Sequence, residues 1–337
     1  MKNNNPFIIA EMSGNHNHSL NRALAIARAA SNAGVSALKL QTYTADTMTI
    51  DSSRSEFQIK DKTNLWTGQS LYALYQKAYT PWQWHKPIFD ECKKLGLICF
   101  STPFDKTAVD FLEDLNCPIY KIASFENADL PLLSYVAKTK KPVIMSCAMA
   151  SVNEIKEAVN TLTKNGCRDI TLLKCTSAYP ANPKDSNLLT IPNMIKKFPK
   201  CKIGLSDHTL GIGVSIASIA LGAQVIEKHF TLSRKDGGVD SAFSMEIQEM
   251  KQLVEESRRA YLALGKVNYG LSPQEKKSLI YKRSLYVVKD IKKGEKFTKD
   301  NIRSIRPSKG LAPKHYNKIL GQTAKRNFKF GEPLRWR

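Results

Sequence analysis

Eight short apolar runs, each ending in a cluster of polar residues, follow one another between Phe7 and Leu232. A stretch of helical pattern follows each of the first seven runs. Apolar runs that alternate with helical segments are typical of a parallel sheet, and eight of them suit a closed barrel. The pattern therefore predicts an α/β fold, a (β/α)8 TIM barrel with its active site at the strand ends. With their polar ends, the runs span residues 7–15, 37–43, 97–105, 119–126, 142–149, 170–179, 202–208 and 225–232.

The chain is long enough for a barrel and one further small domain. Its 337 residues exceed the roughly 250 of a typical barrel. A helical pattern over 246–264 gives way to a stretch rich in Gly, Asn, Ser and Pro, and then to short strand-like pieces such as 284–288. We predict a barrel catalytic domain at 1–265, a linker at 266–280 and a small, mostly β domain at 281–337.

The positive charge is concentrated in the C-terminal part of the chain. The net charge is +21, and from Gly265 onward 20 Lys and Arg face 5 Asp and Glu, which is +15 and leaves +6 for the barrel. The tail lacks the interleaved pattern of aromatic and basic residues that an RNA-recognition surface would have. A charged surface or an active-site lid is thus favoured over nucleic-acid binding. Salt-dependent binding of the isolated tail to RNA would support the alternative.

The cysteines and the apolar runs indicate the compartment. Seven cysteines, an odd number without a CxxC pair, fit neither a disulfide framework nor a zinc pattern, and so predict free thiols. No signal-peptide pattern is present, and no apolar run reaches the roughly 20 residues that a membrane helix needs. We expect a cytoplasmic protein without a membrane partner.

Strand alternation predicts which side chains point into the barrel. Lys39 and Gln41 share one face of the second strand, whereas Leu38 and Leu40 share the other. The outer face must be apolar to meet the helices, so Lys39 and Gln41 point inward. A barrel interior normally holds branched apolar residues, so inward polar groups are costly unless they serve a ligand. By the same rule Lys121, the pair Ser206 and His208, and the pair Glu227 and His229 point inward, and Glu11 ends the first strand.

His208 and His229 are the candidate metal ligands. They lie one strand repeat apart, and neighbouring strands are about 4.8 Å apart, so two imidazoles at one height can share an ion. Two histidines leave positions open for water and substrate oxygen, as Mn2+ or Mg2+ requires, whereas zinc usually takes a third protein ligand. The alternative is a pair of hydrogen-bonded histidines at the barrel rim. We interpret His16 and His18 as loop scaffold.

Two lysines and several hydroxyls suggest a phosphate site. The inward Lys39 and Lys121 would supply two fixed cations at one mouth. A Schiff-base aldolase using either lysine is an alternative, which borohydride trapping would reveal. Cys147 and Cys175 have no evident histidine neighbour and are interpreted as packing residues, and Asp207 as a capping carboxylate. The candidate hydroxyls are those of Thr102, Ser124, Ser177 and Ser206.

Motifs at successive strand ends resemble those of the nonulosonic (sialic) acid synthases, and the resemblance spans nearly the whole chain. The tail from Ser284 to Trp336 resembles the antifreeze-like (SAF) domain of these enzymes. Any one motif is weak, but their joint occurrence in order is specific. The motifs are AE at 10–11, NHN at 15–17, KLQT at 39–42, STPFD at 101–105, KIAS at 121–124, CTSAYP at 175–180, GLSDHT at 204–209 and EKHFT at 227–231.

The resemblance implies a metal-dependent condensation of phosphoenolpyruvate with the open-chain aldehyde of an acetamido sugar. His208 and His229 would hold the metal, Mn2+ with Mg2+ or Co2+ as alternatives, and Glu11 would be the catalytic acid or base. Arg306 would reach the sugar of a partner subunit, which implies a domain-swapped homodimer. By motif position, Lys39, Thr102, Lys121, Ser124, Ser177 and Ser206 would bind phosphoenolpyruvate, and Gln41, Glu126, Tyr179 and Asp240 would bind the sugar.

Other segments resemble the pseudaminic acid branch of the family. They are 12–14, 125–129, 240–246 and the aromatic stretch 66–85. A less polar wall would suit 2,4-diacetamido-2,4,6-trideoxy-L-altrose, because its C6 methyl cannot satisfy hydrogen-bonding groups. The aromatic stretch could instead pack a long loop onto the barrel. The alternatives are an N-acetylneuraminate or legionaminate synthase that uses another acetamido sugar.

Overall fold

The computed structural model describes residues 6–62 and 65–336. Within them, eight parallel strands close into a barrel in sequential order, which confirms the predicted TIM barrel. By contacts the chain divides into two compact units, Met1–Gly265 and Lys266–Arg337. The barrel strands are β1 (Phe7–Glu11), β2 (Ala37–Thr42), β3 (Ile98–Pro103), β4 (Tyr120–Ile122), β5 (Val143–Ser146), β6 (Ile170–Cys175), β7 (Lys202–Ser206) and β8 (Val225–His229).

Strand register brings the predicted polar residues to one level of the barrel. Glu11 on β1 pairs with Lys39 on β2 and with His229 on β8. Ser206 on β7 pairs with Glu227 on β8. Parallel strands present their carboxyl ends at one rim, so residues far apart in sequence meet there.

Helices cover the outer face of the strands, and local capping sets where several of them begin. The Ser19 side chain accepts from the backbone of Arg22 at the start of the first helix, and Ser151 and Glu154 form a capping box further along. The helices of this unit are α1 (Leu20–Ala33), α2 (Ala45–Met48), α3 (Leu71–Ala78), α4 (Trp82–Lys94), α5 (Lys106–Asp114), α6 (Leu130–Ala137), α7 (Val152–Lys164), α8 (Thr190–Lys197), α9 (Gly213–Ala220) and α10 (Ile247–Leu264).

Much of the aromatic stretch at 66–85 packs against the barrel. The Trp82 ring stacks on Phe111, with ring centroids 4.7 Å apart, and Trp84 meets His16 edge-on at 5.6 Å. His16 is buried and its Nε2 lies 3.2 Å from Thr80 Oγ1, so it is scaffold, as expected. Burial, together with His18 and His85, lowers the pKa of His16 to about 4.

The second unit has its own small apolar core and mostly irregular backbone. Strands β9 (Ser284–Val287) and β10 (Ile302–Ile305) pair antiparallel, and helix α12 (Tyr316–Ile319) follows. Helix α11 (Pro273–Ser278) falls within the expected linker, because Ser272 and Glu275 form a capping box and Pro273 suits the first turn. The core residues are Leu285, Val287, Ile291, Phe297, Ile302, Ile319, Ala324 and Leu334.

All seven cysteines are free, and six of them are buried. Among the residues that the structure describes, no helix combines the length and apolar character needed to cross a membrane.

Candidate active site

Two lysines and two glutamates form a buried charged cluster inside the barrel. Lys39 Nζ lies 2.5 Å from Glu11 Oε2 and 3.7 Å from Glu227 Oε2. Lys121 Nζ lies 3.3 Å from Glu227 Oε1. All four side chains are at most 6% exposed. Buried charges at this density need mutual compensation or a charged ligand. The four groups pair with one another here, and their place near the carboxyl ends of the barrel strands makes the cluster a candidate binding site.

The two carboxyl groups of this cluster titrate in opposite directions. Burial raises the pKa of Glu11, and Glu227 raises it further, against the lowering effect of Lys39. Burial also opposes ionisation of Glu227, but Lys121 and Lys39 outweigh it and lower its pKa to about 2. Burial lowers the pKa of Lys121, whereas Glu11 and Glu227 outweigh burial at Lys39 and raise its pKa. Glu227 is thus a firmly ionised carboxylate, and Glu11 takes up a proton more readily.

Two hydroxyl groups contact the charged cluster. Lys39 Nζ donates to Thr102 Oγ1 at 3.3 Å, and Ser206 Oγ donates to Glu227 Oε1 at 3.0 Å. Ser177 Oγ is buried and has no hydrogen-bond partner among the described residues. Ser124 Oγ accepts from the Ala148 backbone at 3.3 Å. The structure therefore joins Thr102 and Ser206 directly to the charged cluster.

The sequence-based assignment gives no role to two buried polar residues of the barrel, Glu227 and Ser146. Glu227 was predicted to point inward but received no role, and it contacts both lysines. Ser146, at the end of β5, is buried with Oγ unpaired among the described residues. Its position at the carboxyl end of a barrel strand was the available signal.

The two histidines face each other beside the cluster. Their ring centroids are 5.3 Å apart. His208 Nδ1 lies 2.9 Å from the Thr176 carbonyl oxygen, to which it can donate, so Nε2 keeps its lone pair for a ligand. His229 Nδ1 is buried without a hydrogen-bond partner among the described residues and lies 3.9 Å from Asp240 Oδ2. Burial and His208 hold the pKa of His229 well below its usual value.

This arrangement fits a divalent cation that keeps open coordination positions. Two facing imidazoles with the carboxyl group of Asp240 beside them offer the nitrogen and oxygen donors that divalent transition metals accept. Within the described residues, no group of three or more His, Cys, Asp or Glu is arranged to hold a metal by itself. His229 Nδ1 is buried and has no hydrogen-bond partner among the described residues, so a bound metal ion or ligand would satisfy it.

Cys175 corrects one of the sequence-based expectations. It was interpreted as a packing residue without a histidine neighbour, but its Sγ lies 4.0 Å from His208 Nδ1. Burial opposes ionisation of the thiol, but His208, Ser124 and Lys121 together outweigh burial and lower the pKa of Cys175 to about 7. Cys175 pairs with Ser206 across β6 and β7, so it lies one strand from the histidine loop. Cys147 behaves as expected, because burial raises its pKa to about 12.

Four predicted sugar-binding residues lie on the barrel unit. Gln41 Nε2 donates to Glu11 Oε1 at 3.2 Å. The Tyr179 ring lies 4.4 Å from the His208 ring, and Asp240 accepts a hydrogen bond from Ser13 beside His229. Burial raises the pKa of Glu126 to about 7, and its Oε2 has no hydrogen-bond partner among the described residues.

Aromatic side chains border the histidines. The Phe243 ring lies 4.9 Å from His229 and 5.2 Å from Tyr179. The Trp66 ring lies 6.1 Å from Tyr179, and its Nε1 donates to the Val239 carbonyl oxygen at 2.9 Å. Of the aromatic stretch 66–85, Trp66 is thus the residue that meets Tyr179.

Arg306, the remaining predicted sugar-binding residue, belongs to the second unit. It directly follows β10 and is exposed there. Its role stays a prediction.

Comparison with known proteins agrees with this geometry. The chain is 45% identical to the pseudaminic acid synthase of Helicobacter pylori, over 98% of this chain and 96% of the relative. It is 43% identical to the pseudaminic acid synthase of Campylobacter jejuni, over 98% and 95%. The crystal structure of an N-acetylneuraminic acid synthetase from Leptospira borgpetersenii superposes with a TM-score of 0.72 at 32% identity, over 82% of this chain and 92% of that one.

Models of protein families match both parts of the chain. Residues 282–337 match the SAF domain, which agrees with the predicted resemblance of the tail. Residues 26–269 match the NeuB family, which is most of the barrel and more than half of the chain. The chain therefore belongs to the NeuB family.

Proposed function

We propose that this protein condenses phosphoenolpyruvate with 2,4-diacetamido-2,4,6-trideoxy-L-altrose to give pseudaminic acid and phosphate. The relatives named as pseudaminic acid synthases support the choice of product. The observation that carries the chemistry is the pair of buried lysines, Lys39 and Lys121, beside two facing histidines in one barrel. An anion and a carbonyl compound can be bound side by side there.

Phosphoenolpyruvate would occupy the cationic part of the site. Lys39 and Lys121 supply positive charge, and hydroxyls supply donors that suit a phosphate and a carboxylate. Ser177 and Ser146 have buried Oγ atoms without partners, which a bound anion would satisfy. The full set proposed for this substrate is Lys39, Thr102, Lys121, Ser124, Ser146, Ser177 and Ser206.

His208 and His229 would hold a divalent metal, with Mn2+ the first choice and Mg2+ or Co2+ the alternatives. When bound, the metal acts as a Lewis acid on the aldehyde oxygen of the sugar. The hydrogen bond from His208 Nδ1 to the Thr176 carbonyl fixes the tautomer that offers Nε2.

The reaction forms one carbon–carbon bond and one carbon–oxygen bond to water, and it breaks the carbon–oxygen bond between C2 and the phosphate. C3 of phosphoenolpyruvate attacks C1 of the aldehyde, whose oxygen becomes a hydroxyl. Water adds to C2 and loses a proton, and the tetrahedral adduct expels phosphate to leave a ketone. Glu11 lies between Lys39 and Gln41, and its raised pKa suits a group that exchanges protons with the water or the adduct.

The sugar would lie along the aromatic border. Tyr179, Phe243 and Trp66 present ring surface near the histidines, which suits a C6 methyl better than a hydroxyl. Gln41, Glu126, Tyr179 and Asp240 are proposed to bind its polar groups. Glu126, with a pKa near 7, can donate a hydrogen bond to an acetamido oxygen in its neutral form.

Arg306 would complete the sugar site from the SAF domain of a partner copy, in a domain-swapped homodimer. Free thiols and a phosphoenolpyruvate substrate fit the cytoplasm. Neither nucleic acid nor membrane is part of this proposal.

Phosphate release from phosphoenolpyruvate, measured with Mn2+ and a panel of acetamido sugars, tests the proposal. We expect release with the trideoxy sugar, loss of at least about 100-fold in Glu11→Gln, and wild-type rates in the control Glu113→Gln, whose carboxylate pairs with Lys141 outside the site. No release with any acetamido sugar would overturn the family chemistry. Preference for N-acetylmannosamine would favour an N-acetylneuraminate synthase instead.

A further inference from the structure

A buried lysine on the outer face of β8 has no part in the chemistry proposed above. Lys228 is 1% exposed and lies between Glu227 and His229 in sequence. Its Nζ donates to Asp207 Oδ2 at 3.1 Å, to the Thr209 carbonyl oxygen at 2.5 Å and to the Gly211 carbonyl oxygen at 3.0 Å. All three ammonium protons therefore have acceptors, as a buried charge requires.

Asp207, which directly follows β7, completes this network. Its Oδ1 accepts from the backbone N and the hydroxyl of Thr209, at 2.9 and 2.7 Å. Its Oδ2 accepts from Ser215 Oγ at 2.6 Å as well as from Lys228. The network thus ties the end of β7, the loop after it, the first turn of α9 and β8 into one unit.

Both histidines are attached directly to this unit. His208 lies between Asp207 and Thr209, whose side chains are held by the network, and His229 directly follows Lys228. Successive strand residues point to opposite faces, so a side chain anchored outside fixes the inward direction of its neighbour. We propose that the Lys228–Asp207 pair is a positioning pair, which sets the separation of His208 and His229. This role rests on the proposed function, because it assumes that the two histidines hold the metal.

Loss of the Lys228–Asp207 pair would change the position of the histidines, whereas loss of an ordinary ion pair would change only the stability of the fold. Without Lys228, Asp207 has fewer hydrogen-bond donors, and the carbonyl oxygens of Thr209 and Gly211 lose the ammonium group that donates to them. The cheapest relief is a shift of the loop that carries His208, which exposes these groups to water. We therefore expect the substitution to lower the affinity for the metal while the barrel stays folded.

The test measures Mn2+ binding to the Lys228→Met protein in the absence of substrates. Electron paramagnetic resonance of the free Mn2+ ion gives the Kd. We expect Kd to rise by about 10- to 100-fold, as for other residues that orient metal ligands. In phosphate release, the Mn2+ concentration for half-activation should rise similarly, while kcat at saturating Mn2+ stays within about threefold. The matched control is Lys202→Met, which removes an ion pair with Asp169 at the opposite end of β7 and should leave Kd unchanged.

If Lys228→Met fails to fold, Asp207→Asn provides a second test, because asparagine keeps the shape of the aspartate side chain. We expect its Kd for Mn2+ to rise by about tenfold. Wild-type affinity in a folded Lys228→Met or Asp207→Asn protein would overturn the positioning role. Absence of Mn2+ binding in the wild type would instead overturn the metal site itself, and with it this role.

Discussion

Replacing Lys121 with methionine should weaken phosphoenolpyruvate binding far more than sugar binding. Methionine keeps most of the length and apolar stem of lysine but removes its charge. Lys121 is 3% exposed, and its one ion-pair partner among the described residues is Glu227, at 3.3 Å. The substitution thus removes one of the two cations that face Glu227.

The size of the effect follows from these distances. With an effective dielectric constant of about 20, unit charges 3.3 Å apart attract by about 5 kcal/mol. Glu227 would keep Lys39 at 3.7 Å, which is worth about 4.5 kcal/mol on the same scale. The variant can therefore fold, but its cluster is one charge more negative. Truncating one member of a buried charge pair costs about 2 to 5 kcal/mol in ligand binding, or about 30-fold or more in Kd.

Calorimetric titration with phosphoenolpyruvate measures this Kd directly, and phosphate-release kinetics give KM for both substrates. We expect KM for the sugar to change less than about threefold. The control is Lys174→Met, because Lys174 Nζ donates to the Cys175 carbonyl and the Thr176 hydroxyl rather than to a carboxylate. A folded Lys121→Met protein with wild-type Kd for phosphoenolpyruvate would refute the assignment of the lysines to the anion.

Three further substitutions test other parts of the site. Burial raises the pKa of Glu126 in the folded protein to about 7. The protonated carboxyl group therefore stabilises the fold at pH 4, and this stability is lost as pH rises through about 7. Glu126→Gln should raise Tm at pH 8 more than at pH 5, and equal shifts at the two pH values would contradict this. His229→Ala should abolish Mn2+ binding while circular dichroism stays native, and retained binding would exclude this ligand. Phe243→Ser should narrow the kcat/KM preference for the trideoxy sugar over N-acetylmannosamine by about tenfold, and an unchanged ratio would remove Phe243 from the sugar wall.

Much of the barrel site could be predicted because strand geometry is regular. A period of two residues separates inward from outward side chains, so Lys39 and Lys121 were recognised without any three-dimensional information. The strand ends meet at one rim, which placed His208 beside His229. Both features depend on the backbone alone, and the structure bears them out.

Contacts that depend on strand register could not be read from the chain. Cys175 and His208 are 33 residues apart, and their contact arises because β6 pairs with β7 so that Cys175 lies opposite Ser206. Strand register follows from the stagger of the closed barrel, and the sequence of a single strand does not show that stagger. The aromatic stretch was ambiguous for a similar reason, because composition does not distinguish Trp66 at the mouth from Trp82 packed on Phe111.

The divergent titration of Glu11 and Glu227 connects anion binding to proton transfer. Glu227 faces both lysines and stays ionised, so it holds their ammonium groups in place for a ligand. Glu11 is the carboxyl group whose pKa is already raised. Under the proposed function, phosphoenolpyruvate would bring negative charge beside both groups, which would raise the pKa of Glu11 further. We therefore predict that Glu11 takes up a proton when the anion binds and returns it when phosphate leaves.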